Sequence, residues 1–311
     1  MKRIPDTAAA SVPRDLAAMP DVPGVRHAFL DLPGLRMHVA EAGEGDPVLL
    51  LHGGIQDWRA WRKLIPGLAE RYRVVAPDLR GCGWTDAPAG GYTRDRMTGD
   101  LVAALDALGI PVTRLVSTDM GGILGFALCH DLPERVSAHV SITNPPLSAK
   151  VGLRHVKAFL PLWHQEVGSI PGLAPVLFGR GRQPLARHML QGFSGVVEAT
   201  DRSDDEGYLA RLREPGRARA ASAMFRHLVL PEVLRIAGGR YRDVRLPMPT
   251  LFVAAAEDRS FPPEMLEDLL GTASPYLAST EFVTVDGAGH YAAHENPERV
   301  RQVITRFFAE H

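Results

Sequence analysis

Leu115-Val116-Ser117-Thr118-Asp119-Met120-Gly121-Gly122 is the stretch on which the reading of this chain turns. It reads as a strand, then a sharp turn, then a helix. That is the setting of a nucleophile elbow, the strained turn that lifts a reactive side chain above a parallel sheet. The nucleophile position falls on Asp119. A carboxylate there attacks saturated carbon and leaves an ester, which water must then cleave. The expected chemistry shifts from ordinary ester hydrolysis towards opening epoxides or displacing halide.

Outward from the elbow, short apolar runs alternate with helical patterns. His27 to Leu32 and Leu35 to Ala40 read as strands around the turn Pro33-Gly34. Pro47-Val48-Leu49-Leu50-Leu51 is a continuous apolar run, as in a strand buried on both faces of a parallel sheet, and it ends in His52-Gly53-Gly54. Arg73 to Pro77, Val140 to Thr143, Thr250 to Val253 and Glu281 to Val285 are further strands. Leu101, Leu105 and Leu108 mark one face of a helix before the elbow. In the last helix Asn296 is the cap, Pro297 takes the first position, and Val300, Val303, Ile304, Phe307 and Phe308 form an apolar stripe.

Strands alternating with helices predict an α/β protein with a mostly parallel, doubly wound sheet. The stretch from about 145 to 240 breaks that rhythm. It is rich in Arg, Gly, Pro and helix formers, and it reads as an inserted helical lid. The expected division is an N-terminal arm over 1–24, a core over 25–144 and 241–311, and the lid over 145–240. The Arg-rich segment Arg211 to Arg219 is interrupted by Glu214 and Pro215 and reads as a solvated lid surface.

An aspartate nucleophile needs support for its charge, a base for the water, and an acid to hold the base. The N–H groups of Gly54 and Met120 form the natural oxyanion hole. His290, in the loop Val285-Asp286-Gly287-Ala288-Gly289-His290 after a strand, is the base. His290 and His294 are four apart with Glu295 adjacent, but a zinc helix wants the glutamate directly after the first histidine, and the glycines argue for a loop. No metal is expected. Asp258, at the end of a parallel strand, is the orienting acid, with Glu257 its neighbour and competitor. The chain order nucleophile, acid, histidine is that of the α/β-hydrolase fold.

On these residues the chain resembles the epoxide-hydrolase branch of the α/β-hydrolase superfamily. The resemblance covers about 25–144 and 245–311. It includes His52-Gly53, Trp58-Arg59-Ala60-Trp61, the run from Asp78 to Asp86, the Asp119 elbow and Gly289-His290. It implies that Asp119 opens an epoxide to a covalent alkyl ester and that His290, oriented by Asp258, activates water to release a diol. There are departures. Gly54-Ile55 stand where the family has an aromatic residue and proline, and Ser117-Thr118-Asp119-Met120 stands for its Gly-His-Asp-Trp. The missing tryptophan weighs against a haloalkane dehalogenase. The absence of an arginine after the elbow glycines weighs against the fluoroacetate dehalogenases.

The family also brings two lid tyrosines to the epoxide oxygen. Here the corresponding segments, Ala221 to Arg226 and Leu162 to Gln165, carry Phe225 and no tyrosine. Trp163, His164 and Tyr241 are the replacement donors, and Tyr208 a weaker one.

Bulk properties fit a small-molecule enzyme. The 311 residues are 45% apolar and 23% charged with a net charge of -1, so neither nucleic acid nor an anionic membrane is an expected partner. Cys82 and Cys129 are too few for a disulfide framework, and a reducing cytoplasm is expected. Lys2 and Arg3 are followed by no apolar signal core. The expectation is a cytoplasmic, cofactor-independent hydrolase acting on an apolar epoxide, with a homodimer left open. The alternatives are a dehalogenase with the same triad and a non-catalytic binding protein of the same fold.

Overall fold

The computed structural model describes residues 19–152, 160–195, 202–273, 277 and 279–311. Most of the expected N-terminal arm lies outside the described residues. Among the described residues, eight strands form one sheet: β1 (Arg26–Leu32), β2 (Leu35–Ala42), β3 (Pro47–Leu51), β4 (Arg73–Pro77), β5 (Thr113–Thr118), β6 (Val136–Ile142), β7 (Thr250–Ala255) and β8 (Thr280–Val285). Their order is β1-β2-β4-β3-β5-β6-β7-β8. β1 and β2 pair antiparallel, as do β2 and β4, and every other pairing is parallel. β4 and β7 are buried along their whole length, which accounts for the apolar runs Val74 to Pro77 and Leu251 to Ala255 within them.

From β3 the chain winds to one side, into β4, and from β5 to the other, into β6. The crevice where winding reverses, outside the carboxyl ends of β3 and β5, is where ligands bind in open α/β sheets. Leu51 pairs with Ser117, so His52-Gly53-Gly54 and Asp119 emerge side by side at that point.

The outer layers are helical. α1 (Ile65–Ala69), α2 (Arg94–Ala107) and α3 (Asp119–Asp131) precede β6. Between β6 and β7 lie α4 (His164–Ser169), α5 (Leu173–Gly179), α6 (Pro184–Gly192), α7 (Arg202–Leu212), α8 (Arg217–Met224) and α9 (Leu230–Ala237). α10 (Pro263–Ala273), α11 (Ala292–Glu295) and α12 (Pro297–Glu310) complete the chain. In α12, Asn296 accepts from the N–H of Arg299, and the apolar stripe ending in Phe308 is buried.

α8 runs into α9 through a π turn over Phe225–Val229, in which the Leu230 N–H donates to the Phe225 carbonyl. Pro231 supplies no N–H to an α-helical ladder, and the widened turn accommodates it. β6 begins at Val136, earlier than its sequence suggests, because His139 disguises it. That ring is fully buried with Nε2 2.8 Å from Ser117 Oγ, and burial lowers its pKa to about 3. Trp58 and Trp61 are wholly buried in a short 3-10 turn.

The Arg-rich segment departs from expectation. Arg211 and Arg217 are not solvated but turn inward and share Glu214. Arg211 lies over the Trp84 ring, and Arg217 donates to the carbonyls of Cys82 and Thr85. Both cations therefore tie the helical insertion to the loop after β4.

Candidate active site

Asp119 opens α3 with φ of 48°, in the left-handed region that a non-glycine residue seldom adopts. Among the described residues, Ile55 and Thr143 share this trait, and Gln183 is the fourth. Three of these four strained residues thus border the switch-point crevice. Backbone strain of this kind costs ~1–3 kcal/mol per residue and collects at functional sites. The elbow is tight because α3 crosses β3 with no side chain between them: a Cβ on Gly121 would sit 2.3 Å from the Leu51 carbonyl oxygen.

The Gly54 N–H donates to Asp119 Oδ2 at 2.7 Å. His52 holds the loop that presents it. Its Nδ1 is 2.8 Å from the Gly53 carbonyl oxygen, and its Nε2 accepts from the Leu79 N–H at 3.0 Å. Met120, the other expected oxyanion donor, lies in the first turn of α3, where backbone N–H groups lack intrahelical acceptors. Its side chain packs directly on the Cα of Gly54.

His290 lies in a loop after β8, as its glycines suggested, and shares no helix with His294. Its Nδ1 is 3.0 Å from Asp258 Oδ2. Asp258 is buried just beyond β7, and its Oδ1 accepts from the N–H groups of Ser260 and Phe261 at 2.7 and 3.3 Å. Glu257, the competitor, is exposed. Burial works to lower the His290 pKa. It is outweighed by the charge and hydrogen bond of Asp258, then by the charges of Asp119 and Glu295, and the balance holds the imidazole at about 9.

A cavity of about 220 Å³ lies over Asp119 and His290. Its walls are largely apolar, from Ile123 and Phe126 of α3 to Val229, Val233 and Ile236 near α9. Phe225, at the expected tyrosine position, is part of this wall and stacks on Phe178. Of the three expected lid donors, the structure brings only His164 to the cavity. Trp163 is 48% exposed and leans on the ring of His188. Tyr241 is buried elsewhere and donates to Glu232 at 2.5 Å. Tyr208 also lies away from this cavity, with Arg59 over its ring. Cys82 is buried, and burial pushes its thiol pKa up, so it is a packing residue.

Three polar residues escaped the sequence reading. Asn144, just past β6, donates from Nδ2 to the Asp119 carbonyl at 3.0 Å. Its position after a parallel strand was the available signal. Tyr291 lines the cavity beside His290 and donates to the Met189 carbonyl at 2.7 Å. Glu295, considered only as a metal ligand, is buried against the histidine loop.

The sequence profile of the alpha/beta hydrolase fold matches residues 46–297. The chain belongs to this family. Among α/β hydrolases, it is 43% identical over 139 residues to epoxide hydrolase 3 of Siraitia grosvenorii, covering 42% of this chain and 44% of that one. It is 30% identical over 286 residues to the 2-hydroxymuconate semialdehyde hydrolase of Pseudomonas sp. strain CF600, covering 89% and 92%. The chain spans about half the length of the Siraitia epoxide hydrolases it matches. The crystal structure of an epoxide hydrolase from Vigna radiata superimposes with a TM-score of 0.79 at 26% identity, over 94% of this chain and all of that one. Among the described residues, no helix is long and apolar enough to cross a membrane.

Proposed function

We propose that this α/β hydrolase opens an apolar epoxide to a vicinal diol through an ester on Asp119, with residues 145–240 as the lid over the reaction. The observation that carries the reading is the pairing of a carboxylate, not a hydroxyl, at a strained elbow with a buried His290–Asp258 couple beneath one apolar cavity. The similarity to proteins named epoxide hydrolases supports it.

The contact with Gly54 assigns different tasks to the two oxygens of Asp119. Oδ2 is engaged by the Gly54 N–H, so Oδ1 attacks the epoxide carbon. The carbon–oxygen bond of the ring breaks, and its electron pair stays on the epoxide oxygen. His164 supplies the proton that this alkoxide needs and regains one from solvent. The product is a neutral hydroxyalkyl ester.

Esterification removes the Asp119 charge, one of the influences that raise the His290 pKa. The imidazole is then freer to lose its proton and act as a base. His290 takes a proton from water while the water oxygen adds to the Asp119 carbonyl carbon. The negative charge develops on Oδ2, where the N–H groups of Gly54 and Met120 receive it. Collapse expels the alkoxide, which takes the proton from His290, and the Asp119 carboxylic acid then gives its own proton to His290, so the diol leaves with the carboxylate and the imidazolium restored.

The test is a single turnover in oxygen-18 water with enzyme in excess over a panel of small and polycyclic epoxides. Label in the Asp119 peptide with an unlabelled first diol supports the ester route. Diol labelled directly from water would overturn it. Halide release from haloalkanes, with no diol from any epoxide, would identify a dehalogenase instead.

A further inference from the structure

We propose that Glu295 is a positioning residue that joins the helical insertion to the base loop, so that ester hydrolysis by His290 depends on the seating of residues 193–195. This rests on the role given to His290 above. Glu295 is buried, and its two oxygens take backbone N–H groups from both sides of His290. Oε2 accepts from Gly289 at 2.9 Å, and Oε1 accepts from Tyr291 at 3.3 Å. The same Oε2 accepts from Gly195 at 3.0 Å, across from the insertion.

Two further contacts close the arrangement. The His290 N–H donates to the Phe193 carbonyl at 3.0 Å. Gly195 and Gly289 meet backbone to backbone: a Cβ on Gly195 would lie 2.6 Å from the Gly289 nitrogen, and one on Gly289 would lie 2.3 Å from the Gly195 nitrogen. Only glycine at both positions permits this approach. The segment just after α6 and the base loop therefore share one carboxylate oxygen, one amide-to-carbonyl bond and one glycine-to-glycine approach.

Buried carboxylates are costly unless hydrogen-bonded, and charge-assisted bonds are the strong ones. Withdrawing 193–195 takes a donor from Glu295 and the acceptor from the His290 N–H at once. The His290 N–H then loses its fixed partner and Glu295 one of these three donors, although Glu295 still meets Gly289 and Tyr291 and Asp258 still meets the ring. Attack by Asp119 does not use His290, whereas water activation does. A fault in this clasp therefore falls on the second chemical step.

The experiment is rapid-quench single turnover of the full chain with styrene oxide. Mass spectrometry follows formation and decay of the Asp119 ester in wild type, Glu295→Gln, Gly195→Ala and the double variant. The expected result is ester decay slowed roughly ten- to hundredfold in each single variant, since small misplacements of a catalytic group cost that much. Ester formation stays within about twofold, and the double variant is no slower than the worse single one, as for residues of one network. Gly195→Ala touches no reacting atom and serves where Glu295→Gln does not fold. Formation and decay slowed in proportion, additive effects, or normal decay would overturn the inference. A His290→Gln control separates the two levels. Trapped ester there with normal decay in the clasp variants removes only the clasp, whereas no ester at all removes the Asp119 mechanism and the clasp with it.

Discussion

His290 Nδ1 stands 3.0 Å from Asp258 Oδ2, and the opposite oxygen of that carboxylate is fixed by the N–H groups of Ser260 and Phe261. The acid is thus oriented before it orients the ring. With Nδ1 committed to Asp258, Nε2 is the nitrogen that the proposed mechanism uses to take a proton from water.

Asp258→Asn keeps the shape of this couple but offers an amide where an acceptor is needed, so the wrong tautomer is favoured. Steady-state kcat is expected to fall by roughly 10²- to 10⁴-fold, the scale seen when a histidine loses its orienting acid. The Asp119 ester should accumulate under single-turnover conditions. An asparagine variant with wild-type ester decay would remove Asp258 from the mechanism.

The pH behaviour follows from the His290 pKa of about 9. A histidine raised above its unfolded value adds stability that is fully present below the unfolded pKa. That contribution disappears as pH rises through about 9. Thermal melts should therefore show a loss of Tm across that window, and Asp258→Asn should flatten it. Asp119→Asn removes one of the charges that raise the imidazole, so NMR titration of the His290 ring should give a lower pKa than wild type. An unchanged or higher value would contradict the coupling between nucleophile and base.

The alkoxide donor can be tested by contrasting one histidine with one tyrosine. His164 borders the cavity, whereas the Tyr241 hydroxyl is spent on Glu232 outside it. His164→Phe should slow ester formation by about 10²- to 10³-fold, the usual effect of deleting a donor at a developing oxyanion. Tyr241→Phe should leave ester formation unchanged while lowering Tm. Rapid-quench rates for the two variants decide it, and the reverse pattern would transfer the role to Tyr241.

How much of this was legible in the sequence depends on whether the signal was local. The elbow, the β3 run and the capped last helix are local patterns, and each recurs in the structure at its expected place. Asp119 and Gly54 could be paired because strand-end loops at a switch point must meet. β6 was only half legible, since it carries a buried histidine, His139, whose partner Ser117 comes from the neighbouring β5. The lid donors were not legible. Trp163, His164 and Tyr241 all carry suitable groups, and only the packing of separate helices decides which one meets the cavity. Glu295 and Asn144 were missed for the same reason: each is polar, and its value lies in backbone groups brought from distant segments.

Two glycines give the last prediction, because the same substitution should act in opposite directions. Gly121→Ala drives a Cβ to 2.3 Å from the Leu51 carbonyl oxygen and 2.5 Å from that of His52. Backbone atoms of β3 cannot step aside, so α3 must lift from the sheet. Overpacking of this kind costs ~1–3 kcal/mol, and it shifts Asp119 away from the Gly54 N–H as well. Gly99 lies within α2 and has nothing within 4 Å of where its Cβ would be. Gly99→Ala should therefore stabilise the protein by about 0.5–1 kcal/mol, by reducing the freedom of the unfolded chain and favouring the helix. Urea unfolding should show a lower midpoint for Gly121→Ala and a higher one for Gly99→Ala. Turnover should collapse in the first and remain unchanged in the second. A stable, active Gly121→Ala variant would mean that α3 does not lie on β3 as tightly as described.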